Sequence, residues 1–365
     1  MKKYDFLVVG AGFSGAVLAE RLASQLNKKV LVVEKRDHVG GNAFDLYDET
    51  GILIHKYGPH IFHTNHEDVW QYLSQFTDWN GYVHKVLAFV DGKKVPLPIN
   101  LTTVNAVLDK DFSEEELKDY FESVRLKLGH IRNAKDMITS QVGDFFYEKF
   151  FKQYSFKQWG VFPEKLEPEV TKRLPLRYDS DDRYFTDKYQ GLPVNGYAEL
   201  FKKLLSNRNI TVLLGMDYRK VIDDVKFDRL IYTGPIDYYF DYKYGNLPYR
   251  SLRFECENPN MEYYQEVGVV NYPNDYEFTR ITEFKHMTLQ KHSRTTIMRE
   301  YPTNVGEPYY PIPMENAVNL YGRYKIDADK LKSVYFAGRL AEYKYYNMDQ
   351  AVKRALEVFN VIASP

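Results

Sequence analysis

Apolar residues fall in blocks along this chain, and the spacing within each block changes from strand-like to helical and back. Phe6-Leu7-Val8-Val9 is a short continuous apolar run that ends in Gly10-Ala11-Gly12-Phe13-Ser14-Gly15, and Ala16-Val17-Leu18-Ala19-Glu20-Arg21-Leu22 follows. A second apolar run, Val30–Val33, stops at the acidic Glu34. Strand, glycine turn, helix and strand in this order predict a βαβ unit. Further on, Phe44–Tyr47 and Ile52–His55 flank a turn at Asp48–Gly51, and Asn65 is placed to cap a helix around Glu67–Phe76. Val86–Val90 and Lys94–Leu97 read as a hairpin turning at Asp91-Gly92-Lys93.

From residue 100 the pattern becomes helical. Ser113 followed by Glu116 is a capping-box signature ahead of Leu117, Tyr120, Phe121, Val124 and Leu128. Helices are expected around 134–142 and 144–154, and Lys165–Arg177, with Pro168 and Pro175 among mixed charges, reads as a loop. Leu200–Leu205 is helical in pattern, and Thr211–Leu214 and Arg229–Tyr232 read as returning strands. Residues 240–313, rich in aromatics and turns, predict an antiparallel sheet. Ser333–Ala337 is a last strand ending at Gly338-Arg339, and Asp349–Ala363 is the closing helix.

The glycine turn carries the first candidate chemistry. Gly10 tightens the turn, Gly12 lets backbone approach a pyrophosphate, and Gly15 lets the helix pack on the strand. The helix N-terminus would receive the pyrophosphate. Glu34 lies about 20 residues on, where an acid binds ribose hydroxyls. The glycine pair Gly40-Gly41 beyond Glu34 resembles the second loop that crosses the diphosphate in FAD proteins, and a plain turn is its alternative. The Gly338-Arg339 strand end, and a helix whose N-terminus could face a flavin pyrimidine edge, point the same way. The cofactor expected is therefore non-covalent FAD.

Bulk properties narrow the class further. The chain has 365 residues, room for two or three domains, and a formal net charge of −1, which argues against a nucleic-acid partner. No apolar run approaches a membrane span, so membrane insertion is not expected. The single cysteine, Cys256, excludes an internal disulfide and suits a reducing, cytoplasmic setting; its neighbours Glu255 and Glu257 would raise a thiol pKa. Four histidines, His55, His60, His63 and His66, lie close together, but no Cys or paired carboxylate completes a metal signature, and no metal site is expected. The stretch is read as a loop against the flavin. There is no serine nucleophile elbow. Tyrosine is unusually frequent at 32 residues; most suit a sheet, and some near arginines could line a pocket for a base and a sugar.

Several motifs, in the same order along nearly the whole chain, closely resemble bacterial UDP-galactopyranose mutase. They are Gly58-Pro59-His60-Ile61-Phe62-His63-Thr64, Phe156-Lys157-Gln158-Trp159-Gly160, Val170–Pro175, Phe278-Thr279-Arg280, Pro308-Tyr309-Tyr310-Pro311 and Gly338-Arg339. The resemblance implies an α/β fold: a Rossmann-like FAD-binding domain with an inserted helical domain and a twisted antiparallel β-sheet domain. The expected division is residues 1–80, 195–240 and 314–365 for FAD, 98–172 for the helices, and 81–97, 173–194 and 241–313 for the sheet.

It also implies an isomerase that interconverts UDP-galactopyranose and UDP-galactofuranose on reduced FAD. Flavin N5 would act as nucleophile on the sugar anomeric carbon, through a flavin–sugar iminium. By the same resemblance Arg173 and Arg280 clamp the diphosphate, and they are the candidate catalytic residues together with His63. Tyr184, Tyr310 and Tyr345 bind the phosphates, Trp159 closes over the substrate, and Phe151, Tyr154, Phe156 and Asn271 contact uridine. Asn347 counts with both substrate and cofactor. The cofactor residues are Gly10, Gly12, Phe13, Ser14, Gly15, Glu34, Lys35, Gly41, Asn42, His60, Gly338, Arg339, Asn347, Met348 and Asp349. Family members usually carry Asp where this chain has Asn347, which removes a charge that Asp349 could restore. Lys165–Arg177 is expected to act as a lid that brings Arg173 in. A homodimer is expected from the family. Two other functions stay open: an FAD-dependent oxidoreductase of the amine-oxidase type, and a non-catalytic flavoprotein that binds UDP-sugars.

Overall fold

The computed structural model describes residues 2–172 and 176–364. Among these residues, a five-stranded sheet runs in the order Val334–Phe336, Lys226–Tyr232, Lys3–Val9, Val30–Val33 and Ile210–Leu213. All its pairings are parallel. Parallel neighbours need crossovers, and the helix Phe13–Gln25 supplies the first. Both faces of the sheet are covered, which is why its strands read as unbroken apolar runs. Phe13–Gln25, Gly196–Leu204 and Met348–Ala363 close one face around Val8, Val17, Leu18 and Val32. Tyr4, Leu7, Leu31 and Tyr232 form the core on the other.

A seven-stranded sheet runs Tyr310–Pro311, Tyr249–Glu257, Ile297–Thr303, Arg280–Glu283, Val269–Asn271, Val86–Val90 and Lys93–Leu97. It is antiparallel, as the pattern over 240–313 predicts, except where Val269–Asn271 meets Val86–Val90 in parallel. The hairpin at its edge turns through Asp91 at φ +50° and Gly92 at φ +78°, the left-handed pair a tight hairpin needs. Helices Leu101–Leu108, Glu114–Val124 and Ala134–Phe146 pack their apolar faces on this hairpin, with Val104, Phe121 and Phe146 against Ala88, Val90 and Val95. The predicted capping box is present: Ser113 N–H donates to Glu116 Oε2 at 2.8 Å and Glu116 N–H to Ser113 Oγ at 3.3 Å.

Three local expectations need correction, and one helix had none. Asn65 does not cap the helix Glu67–Leu73; its side chain accepts from Lys188 N–H and donates to Asp187, which tie it to a distant loop instead. The helix after Ser113 stops at Val124, because Arg125 turns to an extended conformation. Lys165–Arg177 is not all loop, since Glu169–Lys172 forms one helical turn; residues 173–175 lie outside the described residues. Glu315–Ala328 is a helix with no earlier counterpart. Its inner stripe is Ala317, Leu320, Tyr321, Tyr324 and Ala328, and small and tyrosine residues mask the helical period. No described helix is long and apolar enough to cross a membrane.

Candidate functional site

The C-terminal ends of the parallel strands open into a cavity of about 950 Å³. This is where α/β sheets bind ligands. Gly10 sits at φ +99°, and a Cβ there would come within 2.2 Å of Thr233 Oγ1. Gly15 packs the helix onto the turn: its Cβ would lie 1.9 Å from Gly10 O. Gly12 is the N-cap of Phe13–Gln25 and offers no side-chain cap, so the first-turn N–H groups remain available to an anion. The second glycine loop reaches the first. Gly40 N–H donates to Ala11 O at 2.9 Å, and a Cβ on Gly41 would stand 3.0 Å from Gly12 Cα. Glu34 is buried, and it accepts from the N–H groups of Ala11 at 2.8 Å and Arg36 at 2.9 Å.

Most of the predicted cofactor residues share this wall. Gly10, Gly12, Phe13, Ser14, Glu34, Lys35, Gly41, Asn42, His60, Gly338, Arg339, Asn347 and Met348 all line the cavity. Gly15 and Asp349 do not: the first is consumed in helix packing, and the second is buried within the first turn of Met348–Ala363. Asn347 N–H donates to Gln350 Oε1 at 3.0 Å at that helix start. The sequence reading missed Met216, Asp217 and Tyr218, and also Thr233 and Gly234. Their signal was position alone, just beyond the strands Ile210–Leu213 and Lys226–Tyr232. It also missed Glu307, which bonds Lys35 at 2.9 Å and Arg36 at 2.6 Å and so ties the second sheet to the nucleotide end.

Beyond Arg339 lies a second group. The Arg339 guanidinium stands 4.9 Å from the Tyr345 ring centre and 5.3 Å from that of Tyr310. Tyr310 and Tyr345 stack at 5.2 Å, and the buried Trp159 meets both edge-on, at 6.2 and 5.9 Å. Nearby, Arg280 Nη2 donates to the Tyr154 hydroxyl at 2.8 Å. Arg280 keeps 26% of its side-chain surface exposed. Burial opposes its charge, but Glu300 and the tyrosines Tyr154, Tyr310 and Tyr184 outweigh that and hold its pKa above the ordinary value. Burial pushes the Tyr154 hydroxyl up to about 12 and Tyr310 higher still, so both stay protonated near neutral pH. Burial, helped by the charges of Arg339 and Arg280, lowers His60 to about 4. Its Nδ1 lies 2.8 Å from Gly58 O, an N–H to carbonyl bond that leaves Nε2 as the acceptor nitrogen.

The remaining candidates scatter. Arg173 lies outside the described residues. Tyr184 reaches the group through its field on Arg280, and its N–H donates to His84 O at 2.7 Å. Asn271 pairs with Arg280 across the strands and is buried. Phe151 packs into the helical core rather than against Arg280, and Phe156 is exposed and stacked on Phe162 at 4.5 Å. His63 stacks on Phe185 at 3.6 Å with Nδ1 3.0 Å from Asp187 Oδ2, off the cavity wall. The four clustered histidines thus part ways. His55 Nδ1 accepts from His60 N–H at 3.0 Å, and His66 meets Lys353 at 3.0 Å. Two residues that no motif announced, Glu300 and His84, stand within the electrostatic reach of Arg280.

Comparison with known proteins bears on the family and the fold. A family model described as UDP-galactopyranose mutase matches residues 149–345, and one described as an NAD(P)-binding Rossmann-like domain matches residues 8–76. A probable UDP-galactopyranose mutase of Klebsiella pneumoniae is 37% identical, over 98% of this chain and 94% of its own length. The dTDP-fucopyranose mutase of Escherichia coli is 35% identical, over 96% of each chain. A crystal structure of reduced UDP-galactopyranose mutase superposes with a TM-score of 0.79 at 17% identity, covering 99% of this chain and 94% of that one, and so shares the fold.

Proposed function

The chain belongs to the UDP-galactopyranose mutase family, and on that premise we propose that it interconverts UDP-galactopyranose and UDP-galactofuranose with bound, reduced FAD. The observation that carries the reading is the junction at Arg339. This residue is part of the dinucleotide cavity wall, and its guanidinium lies over the Tyr310 and Tyr345 rings, the first of which also stands within the electrostatic reach of Arg280. A cofactor extending from the glycine cradle to Arg339 would meet a nucleotide sugar held there.

The residues fit FAD. A cavity of about 950 Å³ is roomy enough for a dinucleotide, and the glycine loops leave no space for side chains where a diphosphate would cross. Gly10, Gly12 and Gly41 would hold the diphosphate, Glu34 the adenosine ribose, and the start of Met348–Ala363 the flavin end. When bound and reduced, FAD supplies a nucleophile, N5, for the anomeric carbon, which suits a reaction with no net redox change.

The chain's own side chains do the rest. Arg280 forks onto the diphosphate and stabilises the charge that grows on departing UDP, a task that the family resemblance also gives to Arg173. The hydroxyls of Tyr184, Tyr310 and Tyr345 donate to the same oxygens, and Tyr154 contacts the uridine. Trp159 excludes water from the sugar. His60, neutral, presents a lone pair rather than a competing charge.

The test is to incubate the yellow protein with UDP-galactofuranose, with and without dithionite, and to separate the products by anion exchange. Conversion only in the reduced state is expected. Substrate-linked oxygen uptake would instead favour an oxidase, and tight UDP binding without conversion would favour a binding protein. The relative named for dTDP-fucopyranose is almost as similar as that named for UDP-galactopyranose, so dTDP-fucose is a second substrate to compare. A kcat/KM ratio favouring dTDP-fucose would reassign the sugar and nucleoside and leave the ring contraction unchanged.

A further inference from the structure

Arg280 has a partner that the substrate-site reading does not use. Glu300 faces it across neighbouring antiparallel strands, register partner to register partner. Its carboxylate is 3% exposed as a residue, and Oε1 lies 3.4 Å from Arg280 Nε. The two atoms are in ion-pair range but out of hydrogen-bond alignment, and among the described residues neither has another hydrogen-bond partner. The other oxygen packs against the cofactor side of the site. A Cβ on Gly58 would come within 3.0 Å of Glu300 Oε2. The buried carboxylate thus spans from the arginine to the Gly58-Pro59-His60 loop.

We propose that Glu300 is a positioning residue and proton acceptor: it holds Arg280 in the free enzyme and takes up one proton when a nucleotide-sugar diphosphate claims the guanidinium. This rests on the reading that Arg280 binds that diphosphate. The electrostatics follow from counting charges. In the free enzyme, Glu300 and Arg280 are one negative and one positive charge in a confined space. The diphosphate adds two negative charges and redirects the guanidinium, and a buried carboxylate that loses its counter-charge protonates rather than stay ionised. The proton comes from solvent and returns when the nucleotide leaves. Burial already pushes the Glu300 carboxyl up, against the pull of Arg280 and Thr279. Among the described residues, the other titratable groups facing it are the hydroxyls of Tyr154, Tyr309 and Tyr310, all of which stay protonated, and His60 in the loop packed against Oε2.

The probe is UDP-galactose, whose diester phosphates exchange no proton near neutral pH, titrated into oxidised, FAD-loaded enzyme. Calorimetry in two buffers of different ionisation enthalpy counts the protons. Uptake approaching one per site is expected, with affinity falling by up to ~10-fold per pH unit as pH rises through the window between the free and bound pKa values. Glu300→Gln should still bind, with no uptake and a flat pH profile, and Glu300→Asp should keep the uptake in a displaced window. Absence of uptake in the wild type overturns the proposal, and that result needs no variant to fold. Uptake that persists in Glu300→Gln also overturns it, and would point to His60 or His84. UDP-galactose binding that Arg280→Ala leaves unchanged overturns the underlying reading as well.

Discussion

Gly41 and Gly51 show how one methyl group can mean different things at two positions. Both sit at left-handed φ, +56° and +81°, so alanine strains the backbone at either by about 1 kcal/mol. Only at Gly41 does the methyl also meet another backbone, 3.0 Å from Gly12 Cα; nothing lies within 4 Å at Gly51. Gly41→Ala should therefore purify with FAD affinity reduced about tenfold or more, read from the visible-to-ultraviolet absorbance ratio, whereas Gly51→Ala should keep its flavin. At the other end of the cavity, Arg280→Lys keeps the charge and loses the planar fork. UDP affinity should fall about 10- to 100-fold, the ~1.5–3 kcal/mol of a charged hydrogen bond, with an unchanged circular dichroism spectrum.

Between residues and the whole stand the joints between elements. The helix Gly196–Leu204 begins beside Asn195, a residue type suited to capping, yet Asn195 makes no cap. The cap comes from another element: Asp45, on the strand Asp45–Tyr47, accepts from Tyr197 N–H at 2.5 Å and Ala198 N–H at 2.7 Å. Asp45→Ala should cost about 1–2 kcal/mol and lower Tm by about 1–3 °C, while Asn195→Ala should change it little. Equal losses from the two would show that the cap is local after all. A second joint lies beside the aromatic box. Lys157 Nζ donates to the carbonyls of Tyr272, Asp275, Tyr276 and Phe278, which fastens the helix Gln153–Trp159 to the loop between Asn271 and Arg280.

For the whole molecule, histidines with lowered pKa values shape the response to acid, and two of them lie apart from the cofactor cavity. His55 and His84 are buried, and burial, with smaller help from neighbouring charges, lowers both to about 3. In the unfolded chain they titrate near the ordinary 6.5. Between those values the unfolded state binds protons that the folded state refuses, so stability is full above the unfolded pKa and is lost as pH falls toward 3. Two such sites contribute a slope of up to ~2.7 kcal/mol per pH unit. Chemical denaturation from neutral toward mildly acidic pH should show this decline, and His55→Asn with His84→Asn should flatten it. A decline of unchanged steepness in the double variant would assign it to other groups.

How much of this was legible beforehand follows the range of the interactions. The glycine turn, the Asp91-Gly92 hairpin, the Ser113 capping box and the buried parallel strands each depend on residues a few positions apart. Backbone hydrogen bonding and side-chain period therefore write them directly into local order. Asn65 shows the limit of that logic: its residue type suits a cap, but partners more than a hundred residues away take its side chain. The same holds for the site. Residue order and motifs named Arg280, Tyr310 and Arg339, but nothing near Glu300 or Asp45 in the chain marks either residue. Glu300 acquires its character from a strand register and Asp45 from a helix that begins some 150 residues later. Local pattern determined which elements form and which residues could do chemistry; only packing decided which charges are buried together, because desolvation and Coulomb energy depend on distance in space.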